Sequence, residues 1–248
     1  MFKTAIKNGI CGGNARRRRY QMASIKALAV DIDGTLSDEN RVLCPRAVQA
    51  LRGLDVPVVL STGNTHCFTR TVSVLLGTPR LLICENGGVI SLSEDEMEIL
   101  ADINLCEDAF QKLSGEFALS RYNSSRYRFS DIALQRGFDV AAASRRAQEL
   151  GLAVEFIDTS FAVHIKDRRV DKGTGLSRIA ERMKIDLSSF AAIGDSRSDL
   201  PMFRLAGYSA SVGNARPELK EISDYVARAK YGNGFAEIID HMIGEKLI

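Results

Sequence analysis

The 248-residue chain is 45% apolar and 26% charged, enough to bury one large core or a core with a smaller companion, and no apolar run approaches the length that crosses a bilayer. Its net charge of +2 is uneven: residues 1–22 hold six cations (Lys3, Lys7 and Arg16 to Arg19) and no acid, which leaves −4 on the remainder. The body therefore lacks the basic excess of a nucleic-acid binder, and no nucleic-acid or membrane partner is expected.

Residues 1–22 lack the apolar run of a secretory signal and read as a disordered extension or an early start, with Met22 just before the first strand. Their arginine block is the one feature that would favour RNA. The five cysteines (Cys11, Cys44, Cys67, Cys84, Cys106) are scattered, without zinc-ligand spacing, and read as reduced thiols of a cytoplasmic protein. Three distant histidines (His66, His164, His241) suggest neither a histidine metal site nor a Ser-His-Asp triad.

The chain is organised around Leu28-Ala29-Val30-Asp31-Ile32-Asp33-Gly34-Thr35-Leu36. A buried parallel strand here ends in two carboxylates at i and i+2, which share one side if the strand stays extended. Gly34 then allows a sharp turn. Acids this close repel unless a metal neutralises them or one keeps a proton. Read alone, the pair serves equally well as a turn cap.

Downstream, Pro45 opens a helix to Leu54, and Pro57 to Leu60 is a second buried strand ending in Ser61-Thr62-Gly63-Asn64. A helix from Thr65 to Leu76, a strand from Leu81 to Cys84 and a turn at Glu85 to Gly88 follow. This strand–helix rhythm predicts an α/β, doubly wound parallel sheet of Rossmann type. From Val89 the grammar changes. A hairpin (Val89 to Leu92, Met97 to Leu100), a helix over 107–117, a strand from Tyr127 to Leu134, a helix capped by Asp139 and a strand pair (152–157, 161–166) predict a smaller α+β cap over 89–165. The core is thus expected at 23–88 and 166–248. Its second part carries a helix after Asp171-Lys172-Gly173, the strand Phe190 to Ile193 closing on Gly194-Asp195-Ser196-Arg197-Ser198-Asp199, a helix to Leu205, a strand over 208–212, the loop Gly213-Asn214-Ala215 and a last helix over 235–243.

The four sites Asp31/Asp33, Thr62, Lys172 and Asp195/Asp199 resemble, in this order, the four motifs of the haloacid dehalogenase (HAD) superfamily of phosphatases. The insert resembles the cap of the Cof-like branch. Thr62-Gly63-Asn64 and Asp131-Ile132-Ala133-Leu134 are most similar to archaeal-type phosphoglycolate phosphatases. The resemblance implies a Mg²⁺-dependent phosphatase of a small phosphorylated metabolite. Phosphoglycolate is its lead substrate, with a sugar-phosphate or broad-specificity phosphatase the alternative. A non-enzymatic phospho-acceptor would also use carboxylates, Mg²⁺, Thr and Lys, but needs neither a cap nor the acid Asp33.

Chemistry beside that resemblance gives each residue a part. Asp31 is the candidate nucleophile, and Asp33 the acid that protonates the leaving oxygen and later takes a proton from water. Mg²⁺ suits an all-oxygen site of Asp31, Asp195 and the Asp33 carbonyl, with Asp199 within reach. Thr62, the loop amides near Gly63 and Lys172 meet a phosphate oxygen, and Asn214 is a further candidate in a loop that could face substrate. Ser198 stands where many relatives have asparagine. Arg121, Arg126 and Arg128 are candidates to grip a substrate carboxylate, and Asp131 is ambiguous.

Overall fold

The computed structural model describes residues 24–159 and 161–248. The basic leader and its Arg16 to Arg19 block lie outside them.

The first strand, β1 (Ala27–Asp31), is followed by α1 (Pro45–Arg52), β2 (Val58–Ser61), α2 (His66–Leu76) and β3 (Leu82–Cys84). Every β1 side chain is buried, as an uninterrupted Ala-Leu-Ala-Val run requires of a central strand. Pro45 starts α1, Thr65 caps α2 by accepting from the Phe68 amide, and Gly77 ends α2 in the left-handed conformation. Then come β4 (Val89–Ser91), β5 (Met97–Ile99), α3 (Ile103–Phe117), β6 (Asp131–Leu134), α4 (Val140–Glu149), β7 (Val154–Asp158) and β8 (Val163–Asp167). The chain finishes with α5 (Lys172–Met183), β9 (Phe190–Gly194), α6 (Leu200–Leu205), β10 (Tyr208–Ser211), α7 (Pro217–Ile222), β11 (Tyr225–Val226) and α8 (Tyr231–Gly244).

Two sheets result. The larger runs β11-β10-β9-β1-β2-β3-β4-β5 and the smaller β6-β8-β7. In the larger, β1 lies between β2 (Leu28 opposite Val58) and β9 (Val30 opposite Ile193), all parallel. The connection order reverses at β1, and at such a switch point the carboxyl ends of the strands leave a crevice. Two separate hydrophobic cores lie beneath the sheets, one under the larger and one formed by α3, α4 and the smaller.

The structure departs from the sequence expectations in three places. The hairpin at 89–99, read as part of the cap, instead pairs antiparallel with β3 and completes the larger sheet, with Val89 and Ile90 in its core. A change from parallel to antiparallel grammar marks a sheet edge as readily as a new unit. The strand expected from Tyr127 begins only at Asp131. The amides of Phe129 and Ser130 go to the Glu85 carboxylate, so that stretch has no donors left for a ladder. Finally, α7 and β11 are additional elements. Pro217 with Glu218 was a helix-start signal.

Candidate active site

The crevice gathers residues far apart in sequence. Asp31 ends β1, Thr62 follows β2, Lys172 opens α5 and Asp195 follows β9. Asp171 caps α5 by accepting from the Thr174 amide, which sets Lys172 in the first helical turn. There its side chain is 2% exposed and its Nζ lies 2.6 Å from both Asp31 Oδ1 and Asp199 Oδ1. The other oxygen of Asp199 accepts from the amides of Asp195 (3.1 Å) and Ser196 (2.9 Å) and from the Ser196 hydroxyl. Asp199 thus ties Lys172 to the Asp195 loop.

Electrostatics follow from that crowding. Burial, with Asp199 and Asp195 adding to it, drives the Asp31 carboxyl well above its usual range in spite of Lys172. Burial and Asp199 likewise push Asp195 up to about 7. Burial disfavours the charged form of Lys172, but Asp199 and Asp31 outweigh it and raise its pKa.

These residues fit a divalent cation. One oxygen from each of Asp31, Asp195 and Asp199 falls within a 4.8 Å cluster. Three carboxylates against one ammonium leave two negative charges to neutralise. Asp195 Oδ1 is moreover buried with no hydrogen-bond partner, an acceptor that only a cation or an added donor can satisfy. Gly34 makes the approach of Asp195 possible: its φ is +84°, and a Cβ there would stand 2.5 Å from Asp195 Oδ2. Oxygen-only donors suit Mg²⁺.

Asp33 sits on the cleft wall. Its Oδ1 accepts from Arg41 Nε (2.8 Å) and its Oδ2 from Asn64 Nδ2 (2.5 Å), with the Thr62 hydroxyl 3.5 Å from Oδ2. The Thr62 oxygen accepts from the Asn64 amide at 3.1 Å. Gly63 lines the cleft and its carbonyl accepts from Arg128 of the insert. Asn214, expected to meet substrate, is tied at both ends instead. Its Nδ2 donates to the Gly34 carbonyl and lies 3.4 Å from Asp195 Oδ2, and its Oδ1 accepts from the Tyr231 amide. It steadies the acid loop. Ser198 lines the cleft and pairs with the Ser196 hydroxyl at 2.9 Å.

The insert forms the opposite wall of a cleft of about 1120 Å³, through residues such as Tyr122, Arg128, Phe161 and His164. Of the three candidate arginines only Arg128 reaches it. Arg121 is held by Glu107 and the Phe110 ring, and Arg126 lies over Tyr127. Arg128 is itself ion-paired with buried Asp131, against which His164 Nδ1 stands at 3.2 Å. Burial opposes ionisation of Asp131, yet Arg128 and His164 outweigh it and hold its pKa below the usual range. Arg41 had no part in the sequence reading, and Asn64 entered it only within the phrase Thr62-Gly63-Asn64, with no role of its own. A single arginine in the polar loop after β1 carries no spacing signal, and Asn64 was marked only by following Gly63.

The chain belongs to the haloacid dehalogenase-like hydrolase family, whose model matches residues 28–137 and 140–239. Over 218 residues it is 54% identical to the phosphoglycolate phosphatase of Methanothrix thermoacetophila, covering 88% of this chain and 97% of that one. It is 42% identical to the phosphoglycolate phosphatase of Methanothermobacter thermautotrophicus, covering 89% and 100%. Among solved structures, one from Thermoplasma acidophilum superposes with a TM-score of 0.83 at 23% identity, covering 91% of this chain and 100% of that one. A haloacid dehalogenase-like hydrolase from B. subtilis gives 0.73 at 22% identity, covering 88% and 99%. With this family and these relatives, the chain is a phosphoric monoester hydrolase. Among the described residues, no helix is long and apolar enough to cross a membrane.

Proposed function

We propose that the chain is a Mg²⁺-dependent phosphatase of small phosphorylated metabolites. Its lead substrate is 2-phosphoglycolate, cleaved to glycolate and phosphate through an aspartyl-phosphate. The names of the relatives support the substrate. The observation that carries the reaction is the buried Lys172 bridge between Asp31 and Asp199 beside the unpartnered Asp195 oxygen.

In the first half-reaction an Asp31 oxygen attacks phosphorus as the ester P–O bond breaks, and Asp33 gives its proton to the leaving oxygen. In the second, water attacks phosphorus and gives a proton to Asp33, while the Asp31 O–P bond breaks to release phosphate. Lys172 orients Asp31 and offsets negative charge on the phosphoryl group. The Thr62 hydroxyl and the amides around Gly63 receive its outer oxygens. Asp31, Asp195 and the Asp33 carbonyl would hold Mg²⁺. Asp199, whose oxygen stands in the same cluster, is within reach of the cation and also fixes Lys172 and the Asp195 loop. When bound, the cation supplies charge neutralisation for the phosphate.

Phosphate release from an ester panel, with and without Mg²⁺, tests this in the parent and in Asp31→Asn. Mg²⁺-dependent cleavage of phosphoglycolate in the parent alone supports it. Equal release after chelation overturns it. The size of the cleft favours one second reading, a broad-specificity phosphatase, which would cleave hexose phosphates as fast as phosphoglycolate.

A further inference from the structure

The geometry points to Arg41 as the residue that selects esters carrying a carboxylate next to the scissile oxygen, with Phe161 of the insert holding it in place. This deepens the substrate reading above and rests on it.

Arg41 lies in the loop between β1 and α1 with φ +64°, a conformation few non-glycine residues adopt without surroundings that enforce it. The surroundings here do. Its Nε donates to Asp33 Oδ1 at 2.8 Å and its Nη2 to Asn64 Oδ1 at 2.9 Å. Its guanidinium carbon lies 5.3 Å from the centre of the Phe68 ring on α2 and 5.2 Å from that of Phe161. One ring belongs to the core and the other to the insert. Such flanking rings attract the cation and favour one orientation of it.

Nη1 has no hydrogen-bond partner among the described residues, and the side chain, 35% exposed, lines the cleft. The other cations there are spoken for or placed elsewhere. Lys172 is buried between Asp31 and Asp199, where its remaining charge faces the phosphoryl group, and Arg128 is turned onto Asp131 and the Gly63 carbonyl. Arg197 and Arg216 also line the cleft, Arg197 two residues after Asp195 and Arg216 donating its backbone amide to the Asp195 carbonyl, but neither contacts Asp33.

The chemistry then follows from connectivity. Asp33 hands its proton to the ester oxygen. In 2-phosphoglycolate the carbon bonded to that oxygen bears the carboxylate. The free edge of Arg41, in contact with Asp33, is therefore one functional group away from the leaving oxygen, where a guanidinium can meet a carboxylate through paired N–H groups. In so roomy a cleft shape alone distinguishes little between small esters, so a charged anchor has to do it.

The test compares the Mg²⁺-loaded full chain on 2-phosphoglycolate and on ethyl phosphate, which has the same two carbons and no carboxylate. Because Arg41 also touches Asp33, both rates fall in Arg41→Gln, and the ratio of kcat/KM values is the readout. We expect that preference to fall about a hundredfold in Arg41→Gln and less in Arg41→Lys. In Phe161→Leu it should fall through KM. A preference unchanged in Arg41→Gln overturns the proposal and leaves Arg41 a positioning residue for Asp33. If the parent cleaves other esters but not phosphoglycolate, the substrate reading is lost and Arg41 is judged by binding. Phosphonoacetate, which carries the carboxylate, should then raise the thermal midpoint of the parent more than ethylphosphonate does, and Arg41→Gln should erase that difference. Equal shifts in the parent overturn Arg41 as well.

Discussion

Replacing Lys172 by methionine is the sharpest perturbation of this site. The substitution keeps the length of the buried stem and removes only the ammonium that stands 2.6 Å from each of two buried carboxylates. Breaking a buried ion pair from one side costs about 3–5 kcal/mol, because the abandoned charges remain out of water. In a chain of this size each kcal/mol moves the thermal midpoint by about 2–4 °C, so a fall of roughly 10 °C is expected for the metal-free protein at pH 8. The sign of its pH dependence is fixed as well. Asp31 already sits well above the usual carboxylate range through burial, and without Lys172 it rises further. A carboxyl raised in the folded state binds protons preferentially there, so its unfavourable contribution grows as pH rises. The deficit relative to the parent should therefore be smaller at pH 5 than at pH 8. Adding Asp199→Asn removes one of the stranded charges and should recover part of the loss. The assay is thermal unfolding in chelator at both pH values, alongside phosphate release, where turnover should fall about a thousandfold. A midpoint at pH 8 within about 2 °C of the parent would falsify the account of Lys172 as the counter-charge of the site.

Four further outcomes are expected. Asp31→Asn should lose about a thousandfold or more in turnover, yet match or exceed the metal-free midpoint of the parent, since it removes one of several crowded negative charges. A clear drop in that midpoint would contradict the crowding argument. Mg²⁺ at about 100 times its Kd should stabilise the parent by about 2.7 kcal/mol in thermal or urea unfolding, and chelation should abolish hydrolysis reversibly. Gly34→Ala places a methyl 2.5 Å from Asp195 Oδ2 and should raise the Mg²⁺ concentration for half-maximal activity about tenfold or more. An unchanged Mg²⁺ requirement would show that Asp195 does not depend on this approach. Asp167, opposed by burial but held down to about 2 by Arg169, contributes stability that is complete above the usual value of 3.8 and lost as pH falls through about 2. Because the Arg169 side chain is 63% exposed, its share is on the order of 1 kcal/mol, and the midpoint gap between the parent and Asp167→Asn should narrow between pH 7 and pH 3.

Much of this was legible in the chain because the relevant signals are local. A run such as Ala27 to Val30 has no polar side chain to show to water, so a doubly covered central strand was readable, and so was what stood at its end. Asp139 announced its helix as a cap for the same reason, and Thr65 and Asp171, where helices were expected to begin, proved to cap theirs as well. Long-range demands were not legible. Nothing near Phe129 says that its amide is claimed by Glu85, 44 residues earlier, and so the strand there was drawn too long. Asn214 beside glycine looked like a loop residue free to meet a ligand, whereas its amide is consumed by Gly34 and Tyr231. Arg41 was invisible because its importance lies in the two rings and two side chains that converge on it, none of them adjacent in sequence.

The two crossings between core and insert lie side by side, for the amide of Asp102, just before α3, donates to the Asp167 carboxylate at the end of β8 at 3.2 Å. Because the hairpin β4–β5 stays with the larger sheet, everything between those two points joins the rest of the chain through only two covalent crossings. A lineage could exchange that whole appendage, or trim it to a short turn, without disturbing a single rung of the eight-stranded ladder. The buried carboxylates, Lys172 and Arg41 would survive such an exchange, while Phe161 and Arg128 would leave with the old appendage, so a new insert would alter the wall around Arg41 and not the acids beneath it.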